Sequence, residues 1–283
     1  MSYGTIVVCG GGCYGGYYVR QLARARAAGA LQFERIIVVD RDPDCRVALL
    51  IDAIQRDDRD GMATHGWRLR RNTDADDAQA AEDGYRGLPI VFNPALWTEF
   101  FEQWFAVAIR QRASASLSAD AVVPSPLMPN LLADWVATRL VVRHGAGSVR
   151  RVALSATPDT PWARDGGDGS HYASFATWMC PINCIEPPRC PETRGPRDWT
   201  MPAAVRDAAA RAAERGTPYD AVALFRTTHR AFGVGMFDVE DALAADAAIQ
   251  KAFGETTRVL VASVSHCHGA MAELVAESTT GTT

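Results

Sequence analysis

A run of glycines near the N-terminus constrains the fold more than any other feature of the sequence. Residues 10–16 read Gly-Gly-Gly-Cys-Tyr-Gly-Gly and stand between a short β-branched run, residues 5–9, and an amphipathic helical pattern over residues 17–28. The second predicted strand, residues 35–40, contains a continuous apolar run at residues 36–39, which is typical of a parallel strand covered on both faces. A strand, a glycine turn, a helix and a parallel strand in this order predict an α/β fold with a doubly wound, mostly parallel sheet.

The glycines have the spacing G-x-G-x-x-G, formed by Gly10, Gly12 and Gly15. The first glycine allows a tight turn, and the second lets the backbone approach a pyrophosphate. The third lets the helix pack on the strand, with Gly16 as the alternative for this position. Amides at the helix N-terminus would then face the phosphates. Asp40 ends the second strand about 25 residues after Gly15, where a carboxylate can bind ribose hydroxyls.

In these residues the chain resembles the NAD(P)-binding Rossmann superfamily, and the resemblance covers residues 5–45. It implies a Rossmann-like fold and an NAD or NADP cofactor, held by Gly10, Gly12, Gly15, Asp40 and Arg41. Asp40 favours NAD, since a carboxylate repels a 2′-phosphate, whereas Arg41 beside it would favour NADP. S-adenosylmethionine enzymes also use a glycine-rich first loop and an acid that ends the second strand. A loop that binds another nucleotide, or none, is the structural alternative.

Composition narrows the classes of partner. The chain has 283 residues and a net charge of −4, and this charge argues against non-specific nucleic-acid binding, which needs a concentrated basic face. We find neither a secretory signal nor the roughly 20 apolar residues of a membrane span. We therefore expect a cytoplasmic protein without membrane association, in which the seven cysteines are mostly reduced.

Three cysteines cluster where the helical and strand patterns stop. Residues 155–202 hold eight of the fifteen prolines, and Cys180, Cys184 and Cys190 lie within eleven residues of each other there. Clustered thiols in a reducing compartment indicate metal or redox chemistry. Proline-stiffened turns can point sulfurs inward, and Cys–Pro pairs recur in iron–sulfur loops. An iron–sulfur cluster and a zinc ion both remain open, and buried packing thiols are the alternative. Glu186 and several arginines, such as Arg197, surround the cysteines. The arginines could clamp a carboxylate or phosphate, but we expect them to solvate the loop.

Titratable residues also follow two of the later predicted strands. His266, Cys267 and His268 come after the strand predicted at residues 258–264 and before a helix predicted at residues 269–277. His229 follows the strand predicted at residues 220–225. Ligands of doubly wound sheets bind beyond the carboxyl ends of strands. We therefore predict His229, His266 and His268 as proton-transfer residues, a role that suits imidazole near neutral pH. Cys267, or a neighbouring histidine, could supply a fourth metal ligand, and a three-cysteine cluster with one open iron is equally compatible.

The sequence thus predicts three regions: a Rossmann-like dinucleotide-binding region at residues 1–154, a Pro/Cys-rich loop with a candidate metal site at residues 155–202, and an α/β region at residues 203–283. The last region would complete the sheet or form a small second domain. We expect Asn93 and Pro94 to begin a helix rich in aromatic residues. The aromatic stripe on this helix is wide enough to be buried in the core and also to form a homodimer contact.

Together these features predict an NAD(P)-dependent oxidoreductase of an unknown small molecule, with a cysteine-ligated metal centre near the nucleotide. The alternatives are an S-adenosylmethionine-dependent methyltransferase and a non-enzymatic nucleotide-binding redox or metal sensor.

Overall fold

The structure is a computed structural model that describes residues 1–60, 85, 87–112, 119–145, 148–180, 184–252 and 254–278. The strands in these residues are, in chain order, β1 (Ser2–Cys9), β2 (Gln32–Asp40), β3 (Ile90–Pro94), β4 (Ala121–Val123), β5 (Val149–Val152), β6 (Trp162–Asp165), β7 (His171–Ser174), β8 (Ala221–Arg226), β9 (Thr228–Ala231), β10 (Val234–Asp238), β11 (Thr256–Val264) and β12 (His268–Glu277). The helices are α1 (Cys13–Ala27), α2 (Arg46–Asp60), α3 (Trp97–Arg112), α4 (Leu131–His144), α5 (Met201–Glu214) and α6 (Val239–Lys251).

The first of two sheets contains the N-terminal strands. Its order is β3-β2-β1-β4-β10-β9. The first four strands are parallel, whereas β10 is antiparallel to β4 and to β9. In the centre, Val7 of β1 pairs with Ile37 on one side and Val122 on the other. The strands between residues 228 and 238 therefore complete a sheet that begins at the N-terminus.

The second sheet is mostly antiparallel. Its order is β6-β7-β12-β11-β8, and β5 pairs with β12 beyond the end of β7. Only β11 and β8 pair in parallel among the described strands of this sheet. β12 forms a hairpin with β11 along its whole length.

Helices and sheets alternate in five layers. The outer face of the first sheet packs against α1 and α2, through residues such as Ile6 and Leu22. The largest core cluster lies between the two sheets and includes α3, α4 and α6 together with Val7 and Val261. α5 packs on the outer face of the second sheet. Successive residues of β1 thus point into different core layers, as strand geometry requires.

The α/β class is confirmed, with parallel and antiparallel pairs in both sheets. Three local predictions are wrong. Residues 269–277 are strand and not helix, because both faces of β12 are buried. Asn93 and Pro94 belong to β3, where they pair with Val39 and Asp40. The segment 155–202 is not wholly irregular, since it contains β6 and β7.

The aromatic residues of α3 are used in the core. Phe101 and Phe105 are almost fully buried and stack with their ring centroids 4.9 Å apart. Phe105 also meets Trp135 of α4 edge-on at 4.7 Å. The aromatic stripe of α3 thus packs between the two sheets. The homodimer contact through this helix stays a prediction.

None of the helices in the described residues is long and apolar enough to cross a membrane.

Candidate functional site

The glycine loop turns sharply at the carboxyl end of β1. Gly10 has a φ of +97°, a backbone conformation that favours glycine, and its N–H donates to the Val39 carbonyl at 2.8 Å. The Gly11 N–H donates to Asp40 Oδ2 at 2.7 Å. A β-carbon on Gly11 would lie 2.2 Å from Cys45 Sγ, so a side chain here would displace the Cys45 thiol. Asp40 therefore fixes the loop from the end of β2.

The remaining glycines of the motif divide into a packing position and an open one. A β-carbon on Gly15 would lie 1.7 Å from the Gly10 carbonyl oxygen, so the start of α1 can approach the loop only without a side chain. Gly16 has ordinary room, with its nearest neighbours at 3.8 Å or more. A β-carbon on Gly12 would meet nothing within 4 Å. Gly15 thus matches the packing role of the motif, and Gly12 leaves the backbone accessible.

The surroundings of the loop suit an anionic ligand. No side chain caps α1 at Gly12, and its first turn contains no acidic residue. Asp40 and Arg41, the two residues predicted to contact the ribose, lie at the end of β2. The Asp40 carboxylate also accepts the Asp42 N–H at 3.0 Å, and the Arg41 side chain is exposed. The first-turn amides of α1 consequently remain available to a phosphate.

A cavity of about 530 Å³ lies beside this loop, between the two sheets. It is bounded by the carboxyl ends of strands from both sheets. The first sheet contributes Cys9, Val122 and Ser125, and the second contributes Phe225 and Ser265. The predicted site residues that line the cavity are Cys180, Cys184, His229, Cys267 and His268.

Cys9 joins the loop to the cavity, because it is the last residue of β1 and immediately precedes Gly10. Burial raises the pKa of Cys9 to about 12, against a hydrogen bond from the Ser125 amide that lowers it. Cys9 therefore stays a neutral thiol and acts as a packing residue of the cavity wall.

Glu186 attaches the Pro/Cys-rich segment to the turn between β11 and β12. Its carboxylate accepts hydrogen bonds from Ser265 Oγ at 2.7 Å, the His266 N–H at 3.0 Å and the Cys267 N–H at 3.1 Å. His229 Nδ1 lies 3.6 Å from Glu186 Oε2. Burial would raise the pKa of Glu186, but these partners outweigh it and lower the pKa to about 2. Glu186 is thus a buried anion that orders the segment.

The three predicted histidines do not share one site. His229 and His268 line the cavity, and His268 Nδ1 is 3.0 Å from Ser174 Oγ. Burial of the His268 ring lowers its pKa, with a smaller lowering from Arg197 and an opposing effect of Glu186. His266 lies in the hairpin turn, and its Nε2 is buried without a hydrogen-bond partner among the described residues. The turn, and not strand alternation, decides which side chains reach the cavity.

Hydrogen-bond donors surround the predicted metal ligands. Cys190 is buried, and its pKa is lowered mainly by the Thr193 amide and further by the Glu192 amide, the Thr193 hydroxyl and Arg197. Trp199 Nε1 donates to Cys267 Sγ at 3.4 Å. Within the described ranges, no three His, Cys, Asp or Glu side chains are arranged to hold a single metal ion.

Comparison with known families covers the half of the chain that carries these thiols. Residues 132–277 match the AF_1314_C family, which is described as an uncharacterized protein, C-terminal domain. The chain belongs to this family. No curated protein matches the chain, and no solved structure matches it either.

The family match runs from α4 to β12 and therefore includes the cysteines, Glu186 and the hairpin turn. The glycine loop and Asp40 precede the matched residues. The two halves of the candidate site thus come from different parts of the chain, and the cavity lies where they meet.

Sequence reasoning missed Glu186 and Arg197: it placed Arg197 on the solvated surface of the loop and gave Glu186 no role. The Glu186 side chain is 9 % exposed, and Arg197 Nε is buried. The only local signal was their position among prolines and cysteines. Their partners on the hairpin turn are about 80 residues away along the chain, since Glu186 bonds to residues 265–267.

Proposed function

We propose that the protein is an NAD(P)-dependent oxidoreductase whose small-molecule substrate binds in the cavity between the sheets. The observation that carries this proposal is the position of Cys9. This residue lines the cavity, and the next residue, Gly10, begins the glycine loop. A cofactor whose pyrophosphate lies on the loop would therefore have one end within reach of the cavity.

The strand order supports a Rossmann-like arrangement of the first sheet. The parallel strands follow the order β3-β2-β1-β4, in which the connections change direction between β1 and β4. Dinucleotides bind across the crevice at such a switch point, with the ribose acid at the end of β2. The adenosine half would lie toward Asp40. The nicotinamide half would lie over β4, whose following residue Ser125 lines the cavity.

The cavity offers groups for the proton that accompanies hydride transfer. The bound cofactor would exchange a hydride with a substrate carbon. His229 and His268 line the cavity and would exchange the proton with the substrate oxygen. His268 is suited to accept a proton, because burial lowers its pKa and keeps the imidazole neutral near pH 7. Val122 and Phe225 supply apolar walls for the carbon skeleton.

Titration with NADH, NADPH and S-adenosylmethionine tests the cofactor class. We expect fluorescence or calorimetric titration to show micromolar binding of a nicotinamide dinucleotide, in the range of about −8 kcal/mol. Binding of S-adenosylmethionine alone would instead support a methyltransferase. Tight dinucleotide binding without turnover of any carbonyl or alcohol substrate would support the sensor.

Replacement of Gly12 tests whether the ligand approaches the loop. Gly12→Ala should weaken dinucleotide binding at least tenfold, about 1.4 kcal/mol, because the new methyl group would occupy the space of the pyrophosphate. The melting temperature should fall only slightly: a β-carbon there meets nothing within 4 Å, although alanine is a poorer N-cap than glycine.

Gly167→Ala is the matched control for this experiment. Gly167 is exposed between β6 and β7 and also has open space around a β-carbon. The affinity of the Gly167→Ala variant for the dinucleotide should equal that of the unmodified chain. Equal affinity in Gly12→Ala would place the ligand elsewhere.

A further inference from the structure

His268 and Ser174 lie opposite each other on two paired strands at the cavity. They are register partners in β12 and β7, and His268 Nδ1 is 3.0 Å from Ser174 Oγ. Both residues line the cavity, and Ser174 is buried whereas His268 has accessible surface. The hydrogen bond between the two atoms needs one proton, which belongs either to the hydroxyl or to the ring. Its owner decides which ring nitrogen is left as an acceptor.

The Ala176 backbone decides the owner of this proton. Ser174 Oγ donates to the Ala176 carbonyl at 2.8 Å and accepts the Ala176 N–H at 2.9 Å. Ala176 is buried, and its carbonyl receives no other hydrogen bond within the described part of the chain. Since a buried carbonyl without a donor is costly, the hydroxyl proton stays on Ala176. His268 Nδ1 must therefore carry the proton of its bond to Ser174.

The second ring nitrogen of His268 is consequently an acceptor. A neutral imidazole has a single N–H, so with the proton on Nδ1 the Nε2 atom keeps its lone pair. Nε2 makes no hydrogen bond to a described residue and is not fully buried. The His268 backbone is fixed as well, because its N–H donates to Ser265 Oγ at 3.2 Å and its carbonyl accepts the Ser265 N–H at 2.8 Å. The cavity thus presents a lone pair on a strand that is held in place.

The walls of the cavity limit the rest of the ligand. Val122, Phe225 and Phe237 are apolar parts of the wall, and the volume of about 530 Å³ is typical of small-molecule sites. Among the described residues that line the cavity there is no arginine or lysine, whereas Glu186 contributes a carboxylate. A carboxylate or phosphate on the ligand would therefore be buried beside an anion without a cation to compensate it.

From these contacts we propose that the cavity binds an uncharged alcohol with an apolar skeleton, whose hydroxyl donates to His268 Nε2. Ser174 is the positioning residue of this hydroxyl subsite, because it holds the ring in the Nδ1–H tautomer. A ketone of the same shape offers only an acceptor, which would face the Nε2 lone pair. The role of the alcohol as substrate rests on the oxidoreductase function proposed above, whereas the hydroxyl subsite does not.

Nitrogen-15 NMR of the full chain, labelled at histidine, tests the tautomer. At about pH 8, where imidazole is neutral, the unprotonated nitrogen of His268 should be Nε2. His268→Gln assigns the signal by its loss. Ser174→Ala should shift the ring toward the Nε2–H form, which free imidazole favours, and Ser174→Thr should restore the Nδ1–H form because it keeps a hydroxyl. Ser263→Ala is the control, since it removes another hydroxyl of the cavity wall and should leave the His268 tautomer unchanged.

The NMR experiment on the unmodified chain does not depend on the folding of any variant. An Nε2–H tautomer there would overturn the subsite. The same tautomer in Ser174→Ala as in the unmodified chain would overturn the positioning role of Ser174.

Titration with cyclohexanol and cyclohexanone, followed by the same His268 resonance, tests the ligand class. We expect the unmodified chain to bind the alcohol about tenfold more tightly than the ketone, the ratio that one hydrogen bond supplies. The anion 4-hydroxycyclohexanecarboxylate keeps the ring and the hydroxyl and should bind more weakly than cyclohexanol. In Ser174→Ala the preference for the alcohol over the ketone should largely disappear.

Three results would contradict the ligand class: no response of His268 to cyclohexanol, equal affinities for the alcohol and the ketone, or tighter binding of the carboxylate. NADH titration of the same preparations reports on the proposed function separately. Alcohol selectivity without dinucleotide binding would remove the oxidoreductase and keep the hydroxyl subsite, and the reverse result would do the opposite.

Discussion

Gly15→Ala should lower the free energy of unfolding by about 3 kcal/mol and abolish the dinucleotide binding that we propose. The new β-carbon would lie 1.7 Å from the Gly10 carbonyl oxygen, which is backbone and cannot rotate away. The start of α1 must then move off β1, and the loop amides lose their common orientation. Chemical denaturation measures the first effect, and titration with NADH or NADPH measures the second.

Gly16→Ala is the control for this prediction, since it makes the same change at the next residue. Its β-carbon meets Arg20, Arg46 and Val47 at 3.8 Å or more, which is ordinary contact. Alanine is a better helix former than glycine by up to about 1 kcal/mol. We therefore expect Gly16→Ala to keep its affinity for the dinucleotide and to gain stability. Equal loss of stability in both variants would show that α1 tolerates no added methyl group, and would contradict the assigned role of Gly15.

The N-terminal elements could be predicted because their determinants are local. β1 and β2 each contain a continuous apolar run of four residues, 6–9 and 36–39, and the turn between β1 and α1 needs glycines at neighbouring positions. Parallel pairing of β1 with β2 follows from the helix that connects them. Each of these inferences uses fewer than about 40 consecutive residues.

The C-terminal hairpin could not be predicted in the same way. β12 is rich in alanine and contains leucine and glutamate, residues that favour helices. It becomes a strand because β11 pairs with it on one edge, and β7 and β5 pair on the other. β5 and β7 lie about 100 residues earlier, so nothing in the local pattern shows this pairing.

The candidate site shows the same division between local and distant information. Chemistry-bearing residue types were visible in the sequence, and five of them line the cavity. Their grouping depends on contacts between the irregular segment and the turn at residues 265–267. The residue that makes these contacts, Glu186, has a φ of +50°, a conformation that only the tertiary structure stabilises.

Glu186→Gln should lower the free energy of unfolding by about 2 kcal/mol and release the Pro/Cys-rich segment from the hairpin turn. Glutamine keeps one acceptor oxygen, but its NH₂ group would face at least one of the donors Ser265 Oγ, His266 N–H and Cys267 N–H, which now bond both carboxylate oxygens. At least one buried donor would then lack an acceptor. Urea denaturation gives the stability, and alkylation of Cys190 and Cys267, followed by mass spectrometry, gives the exposure of the two buried thiols.

Glu192→Gln separates this effect from the loss of one negative charge, because Glu192 is an exposed acid on the same segment. Its stability should change by less than about 0.5 kcal/mol, and the two thiols should stay protected. Faster alkylation only in Glu186→Gln would identify this carboxylate as the attachment of the segment. The thiols and the cavity would then depend on one buried anion, which the hairpin turn holds by two amides and a hydroxyl. Equal alkylation rates in the two variants would mean that the remaining contacts, such as Phe175 N–H to the Cys267 carbonyl and Met201 N–H to the His266 carbonyl, suffice to hold the segment.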